Sequence, residues 1–120
     1  MKSDNQILTD SKAFALRIIK LYKYLTEEKN VKTLSRQILK SGTSIGANVR
    51  ESINAQSRTD FINKLNIALK EANETEYWLE LLHESSILND NEFDSIYTEC
   101  GKIAATLTKI VKTTKTSMLR

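Results

Sequence analysis

Five glutamates, Glu71, Glu74, Glu76, Glu80 and Glu84, fall within fourteen residues of one another beside the single histidine, His83. Carboxylates at helical spacing invite a metal reading, since a di-iron bundle uses inward glutamates and two Glu-x-x-His pairs. Glu80-Leu81-Leu82-His83 supplies one such pair, and no second histidine exists to complete another. A His-based zinc site fails for the same reason. Glu76, Glu80 and Glu84, spaced by four, read as a solvated face, and His83 as a partly exposed surface residue. Cys100 sits on an apolar stripe and reads as an inert core thiol rather than a nucleophile. Phosphate loops of the G-x-x-x-x-G-K-[ST] and G-x-G-x-x-G kinds are absent. Lys40-Ser41-Gly42 lacks the partner motifs that would make a K-T-G-like triplet catalytic. The chain therefore reads as a non-enzyme with no catalytic residue, metal or cofactor.

Two other groups could do chemistry of a milder kind. Arg17, Lys20, Lys40, Arg50 and Arg58 could contact nucleic-acid phosphates, weakly in one copy and as a basic belt if a symmetric oligomer repeats them. A solvated basic face is the alternative. Glu71 and Glu74 come level with Ser44 and Ser41 if the second and third helices form a hairpin about Ser57-Arg58. The two carboxylates are then expected to accept hydrogen bonds from Ser41, Ser44 or Asn48; the alternative is that they point to water.

The elements that must position these groups are all helical. Helix 1 is predicted over about 10–29, with Phe14, Ile18, Leu21 and Leu25 as its buried stripe and Arg17, Lys20 and Lys23 in water. Helix 2 is predicted over about 32–56. It contains Ser41-Gly42-Thr43-Ser44-Ile45-Gly46-Ala47-Asn48, rich in small and hydroxyl residues, with Leu34, Ile38, Ile45 and Val49 keeping helical spacing. No proline occurs in the chain, so nothing forces a break there. Each interior glycine costs about 1 kcal/mol, which close approach of another helix would offset. A loop at 41–47 is the alternative.

Helix 3, about 59–85, starts on a Ser57 cap with Asp60 three residues on. Phe61, Leu65, Ala68, Ala72, Thr75, Leu79 and Leu82 form its seam. Ile62, Ile67, Leu69, Trp78 and Leu81 lie on other sides, and a helix apolar all round is buried all round. Those five residues are therefore predicted to bury against further copies of the chain. Helix 4, about 90–114, starts on an Asn89-to-Glu92 cap, carries Phe93 to Val111 on one side and leaves 116–120 frayed. The fold class is all-α: a single domain over 1–120, an antiparallel up-down-up-down four-helix bundle, oligomeric.

The bulk numbers agree. A length of 120 residues suits one core, and the charge of +3, from 18 basic and 15 acidic residues, is too small by itself to prove a nucleic-acid partner. One cysteine excludes an internal disulfide and fits a reducing cytoplasm. Met1 to Gln6 leads into no apolar leader, and no run is long enough to span a membrane.

One combination of motifs is distinctive: Gln37-Ile38, Ser44-Ile45-Gly46-Ala47-Asn48-Val49-Arg50-Glu51, Arg58-Thr59-Asp60-Phe61, Ile67-Ala68, and Glu71 with Glu74. Over about residues 11–111 the chain resembles the 23S rRNA intervening-sequence proteins, small helical proteins sometimes grouped with ribosomal ones. Ser52 stands where that family usually has glycine. The resemblance implies a four-helix bundle assembled as a ring, commonly a homopentamer. It also implies kinship to the accessory proteins of diversity-generating retroelements, whose pentamers bind nucleic acid and a reverse transcriptase. It carries no catalytic residues. Asn48, Glu51, Glu71 and Glu74 match recurring polar positions and read as architectural. The expectation is a homo-oligomer that binds RNA or DNA; the competing one is a protein-interaction scaffold with no nucleic-acid role.

Overall fold

The structure is a computed structural model and describes residues 2–119, with side chains from Gln6 onward. Four helices account for nearly all of it: α1 (Lys2–Glu27), α2 (Thr33–Ile53), α3 (Arg58–Glu84) and α4 (Asp90–Met118). Among the described residues there is no strand, and no helix is long and apolar enough to cross a membrane.

α1 starts earlier than the sequence suggests. Ile7 is 3% exposed and extends the stripe of Phe14, Ile18, Leu21 and Leu25 by two turns. Ser11, close to the expected start, is instead buried mid-helix, its hydroxyl donating to the Leu8 carbonyl at 3.3 Å. The chain leaves α1 through Asn30, whose φ of 55° a short polar side chain tolerates. The Val31 amide then reaches back to the Leu25 carbonyl at 2.8 Å.

α2 is continuous through residues 41–47, so the loop alternative does not hold. It ends at Ile53, three residues short of the expected end, and turns through Asn54 to the next cap. Ser52 stays inside the helix, 2% exposed, with its hydroxyl donating to the Val49 carbonyl at 2.6 Å. The Ser57 hydroxyl accepts from the Asp60 amide at 3.0 Å and starts α3 as predicted. α3 closes with Ser86 at φ 66°, the Ile87 amide bonding to the Leu82 carbonyl and the Ser86 amide to the His83 carbonyl. That is the paired bonding of a left-handed helix end, taken here without glycine. Asn89 and Glu92 cap α4 reciprocally at 2.8 and 2.9 Å. α4 runs on to Met118 where fraying was expected, and Arg120 lies outside the described residues.

The helices pack as α1 on α2, α2 on α3 and α3 on α4, with α1 and α4 closing the bundle more loosely. Along each pair, numbers fall on one helix as they rise on its neighbour. Arg17 meets Glu99 and Tyr24 meets Glu92; Ser41 meets Thr75 and Glu51 meets Lys64. The particle measures 51 × 21 × 21 Å. A core of Phe14, Ile18, Leu25, Ile38, Ile45, Leu65, Leu79 and Leu107, each no more than 1% exposed, runs its length.

Glycine in α2 has a visible reason. A Cβ on Gly42 would sit 2.7 Å from Ile18 Cγ1, and one on Gly46 would sit 3.2 Å from the Ser11 carbonyl oxygen. These two positions let α1 lie close against α2.

Candidate functional site

The polar groups of α2 do not turn to the acids of α3. Ser44 donates to the Lys40 carbonyl at 2.6 Å, and the Asn48 amide donates to the Ser44 carbonyl at 2.8 Å. Both satisfy themselves on the preceding turn of their own helix, as short polar side chains can. The expected carboxylate partners are therefore corrected: Glu71 and Glu74 take neither group. Ser41 is wholly buried and finds Thr75, likewise buried, with the two hydroxyl oxygens 2.8 Å apart. Thr75 also lies 2.8 Å from the Glu71 carbonyl oxygen. Each hydroxyl has one hydrogen. The arrangement using both short distances runs from the Ser41 hydroxyl to Thr75 Oγ1, and from the Thr75 hydroxyl to the Glu71 carbonyl. Threonine in an apolar seam was the signal for this link.

Glu71 is half-buried, and burial first, then the charge of Glu74, raises its carboxyl above the usual range against the pull of Lys40 and Lys70. Glu74 is exposed. Glu51 pairs with Lys64 at 3.3 Å on the surface, a contact of little energetic weight.

A second acidic line faces α4 rather than water, against expectation. Glu80 accepts from the Tyr97 phenol at 2.7 Å, and that bond pushes the phenol up to about 12. Glu76 beside it is half-buried, and Glu84 alone of the three is exposed. Burial, then the charge of Glu80, raises the Glu76 carboxyl from its ordinary 4.5. An acid with a higher pKa folded than unfolded favours the fold at low pH, and the benefit is lost as pH rises through the folded value. Glu76→Gln is therefore expected to raise the melting temperature at pH 7 and to give no gain near pH 3. Equal gains at both pH values in paired thermal melts would contradict this.

His83 is half-buried, 2.7 Å from Asp90 Oδ1, and stacks on Phe93 at 4.1 Å between ring centres. Cys100 is fully buried with its thiol 3.4 Å from the Ala72 carbonyl oxygen, and burial pushes it up to about 12. It stays protonated and apolar in behaviour. No group of three metal-ligating side chains forms among the described residues.

The five basic residues lie on several surfaces. Arg17 is tied to Glu99 at 2.6 Å and Ser95 at 2.9 Å, not left to water as expected. Lys20 is exposed beside it in the α1–α4 groove. Lys40 is exposed on α2 near Glu71. Arg50 lines the α1–α2 groove with Lys12, which sequence reasoning missed. Arg58 donates to the Ser117 hydroxyl at 2.9 Å at one end of the bundle.

The apolar set assigned to contacts between copies also divides. Ile62 is 7% exposed and belongs to the chain's own core, a correction with a simple cause. α3 lies between α2 and α4, so two neighbours cover a wider arc than one would. Leu69 and Trp78 pack half-buried against that core, and Leu81 is half-buried. Ile67 remains 43% exposed, joined by Tyr77 at 54%, whose ring centre lies 5.3 Å from that of Trp78. Tyr77, four residues before Leu81, could have been found by the same spacing.

A protein of the S23 ribosomal protein family from Bacteroides thetaiotaomicron, itself of unknown function, has a closely similar solved structure. It shares 54% sequence identity, with 92% of this chain and 98% of that chain covered and a TM-score of 0.90. A search of curated proteins gives no match. Residues 3–109 match the model of the 23S rRNA-intervening sequence proteins. That match takes in all of α2 and α3 with their serine-, asparagine- and glutamate-bearing faces, and the chain belongs to the 23S rRNA-intervening sequence protein family.

Proposed function

We propose that the chain is a non-enzymatic, cytoplasmic assembly module whose copies form a ring, five in number as the family resemblance implies, and that the ring holds RNA or DNA by its phosphates. The observation that carries the assembly is the outer side of α3, where Ile67 and Tyr77 stay 43% and 54% exposed although two helices already cover the rest. Repetition of Lys20, Lys40 and Arg58 around such a ring supplies the phosphate contacts, with Arg50 where it is left open. Arg17, held by Glu99, contributes less.

Light-scattering mass and absorbance at 260 nm, read on one chromatographic peak, test both halves. The expected result is a mass several times 13.7 kDa and affinity for RNA or DNA that falls steeply with salt. Removing Lys20, Lys40 and Arg58 together should flatten the log–log salt slope by about 0.9 for each phosphate that is no longer neutralised. A 13.7 kDa species at high concentration would refute assembly. An assembled protein that shifts neither RNA nor DNA at low salt would leave the protein-scaffold reading, which the dispersal of the basic residues over separate grooves favours.

A further inference from the structure

We infer that the groove between α1 and α2 is the receptor for the outer face of α3 from a second copy, so that copies join head to tail. The inference rests on the self-association proposed above and adds which two surfaces meet.

The groove exists because α1 and α2 approach closely where their side chains are small. Gly46 brings the α2 backbone against Ser11, and Ala15 and Ala47 leave a trough of about 510 Å³ that no other part of the described chain fills. Leu8 makes one wall, and Lys12 and Arg50 stand on its rims. Apolar surface continues past it: Leu16 is 56% exposed, Ile19, one turn beyond Ala15, 38%, and Ile53, three residues beyond Arg50, 45%. A phosphate backbone gains nothing from such a floor, whereas a helix with apolar side chains does.

Charge selects the occupant. α1 and α2 together carry eight basic and four acidic residues, while α3 carries three basic and six acidic, of which Glu76 and Glu80 turn to α4 and Glu71 is half-buried. On the outer side of α3, Glu74 is exposed between Ile67 and Tyr77, with Lys70 exposed one turn before it. Apolar anchors flanking a carboxylate match an apolar trough with cationic rims. Two grooves facing each other would oppose Lys12 and Arg50 to themselves, so a symmetric groove-to-groove pairing is disfavoured. Because donor and receptor surfaces differ, the contact is heterologous and generates a ring when its rotation closes. Arg50 then serves the contact between copies and leaves the phosphates to Lys20, Lys40 and Arg58.

Cysteine cross-linking tests the assignment. Ala47 lines the groove, Lys70 lies on the exposed side of α3, and both are exposed. Ala47→Cys and Lys70→Cys are treated with a short bismaleimide, separately and as a coexpressed mixture in which one assembly holds both, after confirming the oligomeric mass of each. The expected result is a cross-linked dimer from the mixture and none from either variant alone, native Cys100 being too buried to react. A dimer from Lys70→Cys alone would show that α3 faces pair symmetrically and would overturn the inference. An assembled protein that gives no product in the mixture would also overturn it, while leaving self-association intact. A monomer would remove both readings. The triple variant Lys12→Glu/Arg50→Glu/Glu74→Lys supplies an independent arm. Lys12→Glu/Arg50→Glu alone should lose the assembled mass, and adding Glu74→Lys should restore most of it; no restoration counts against the pairing.

Discussion

Gly42→Val is expected to destabilise the fold by about 3 kcal/mol or more, a loss on the order of 10 °C in melting temperature. A Cβ at this position falls 2.7 Å from Cγ1 and 2.9 Å from Cγ2 of Ile18, which is itself fully buried. A β-branched side chain in a helix has essentially one comfortable rotamer. Ile18 cannot swing aside, so α1 must move off α2. Gly42→Ala meets the same atoms with less bulk. Its overpacking cost of roughly 1–3 kcal/mol is reduced by about 1 kcal/mol of helix propensity. Ile18→Ala makes room: the pair Gly42→Ala/Ile18→Ala should lose clearly less than the sum of its single changes in a denaturant-melt cycle. Additive losses, or a Gly42→Ala variant more stable than the native chain, would show the contact to be unimportant. Gly101 provides the opposite case. A Cβ there meets only Glu76 Oε2, at 3.8 Å, so Gly101→Ala should gain about 1 kcal/mol.

The second large effect belongs to the buried hydroxyl pair. Thr75→Val keeps shape and removes the acceptor of Ser41, whose remaining choice is the Ile38 carbonyl at a poor 3.5 Å. An unsatisfied buried hydroxyl costs about 1–3 kcal/mol. Ser41→Ala is milder, because Thr75 keeps its bond to the Glu71 carbonyl. The double variant Ser41→Ala/Thr75→Val leaves no orphan and should be more stable than Thr75→Val alone, by urea midpoint at unchanged slope. If adding Ser41→Ala to Thr75→Val lowers stability further, the two hydroxyls are not a coupled pair.

Periodicity and cap chemistry alone determined much of this chain. Four helices, the stripe of Phe14, Ile18, Leu21 and Leu25, the Ser57 and Asn89 caps and the continuity of α2 through its glycines are local properties. Spacing, proline content and short-range hydrogen bonding decide them. The family motif, carried by contiguous residues of α2 and α3, was legible for the same reason. Partner choice was not. Ser44 and Asn48 bonded to their own helix because a carbonyl one turn away is always within reach, while a carboxylate on another helix must be brought there. Glu76 and Glu80 turned to α4, and Ile62 into the core, because the rotation of α3 between two neighbours is a compromise among all the surfaces it packs against. The three glycines look alike in sequence. Only the packed bundle, by placing Ile18 against one, the Ser11 backbone against the second and no more than the Glu76 carboxylate at ordinary contact distance from the third, distinguishes them.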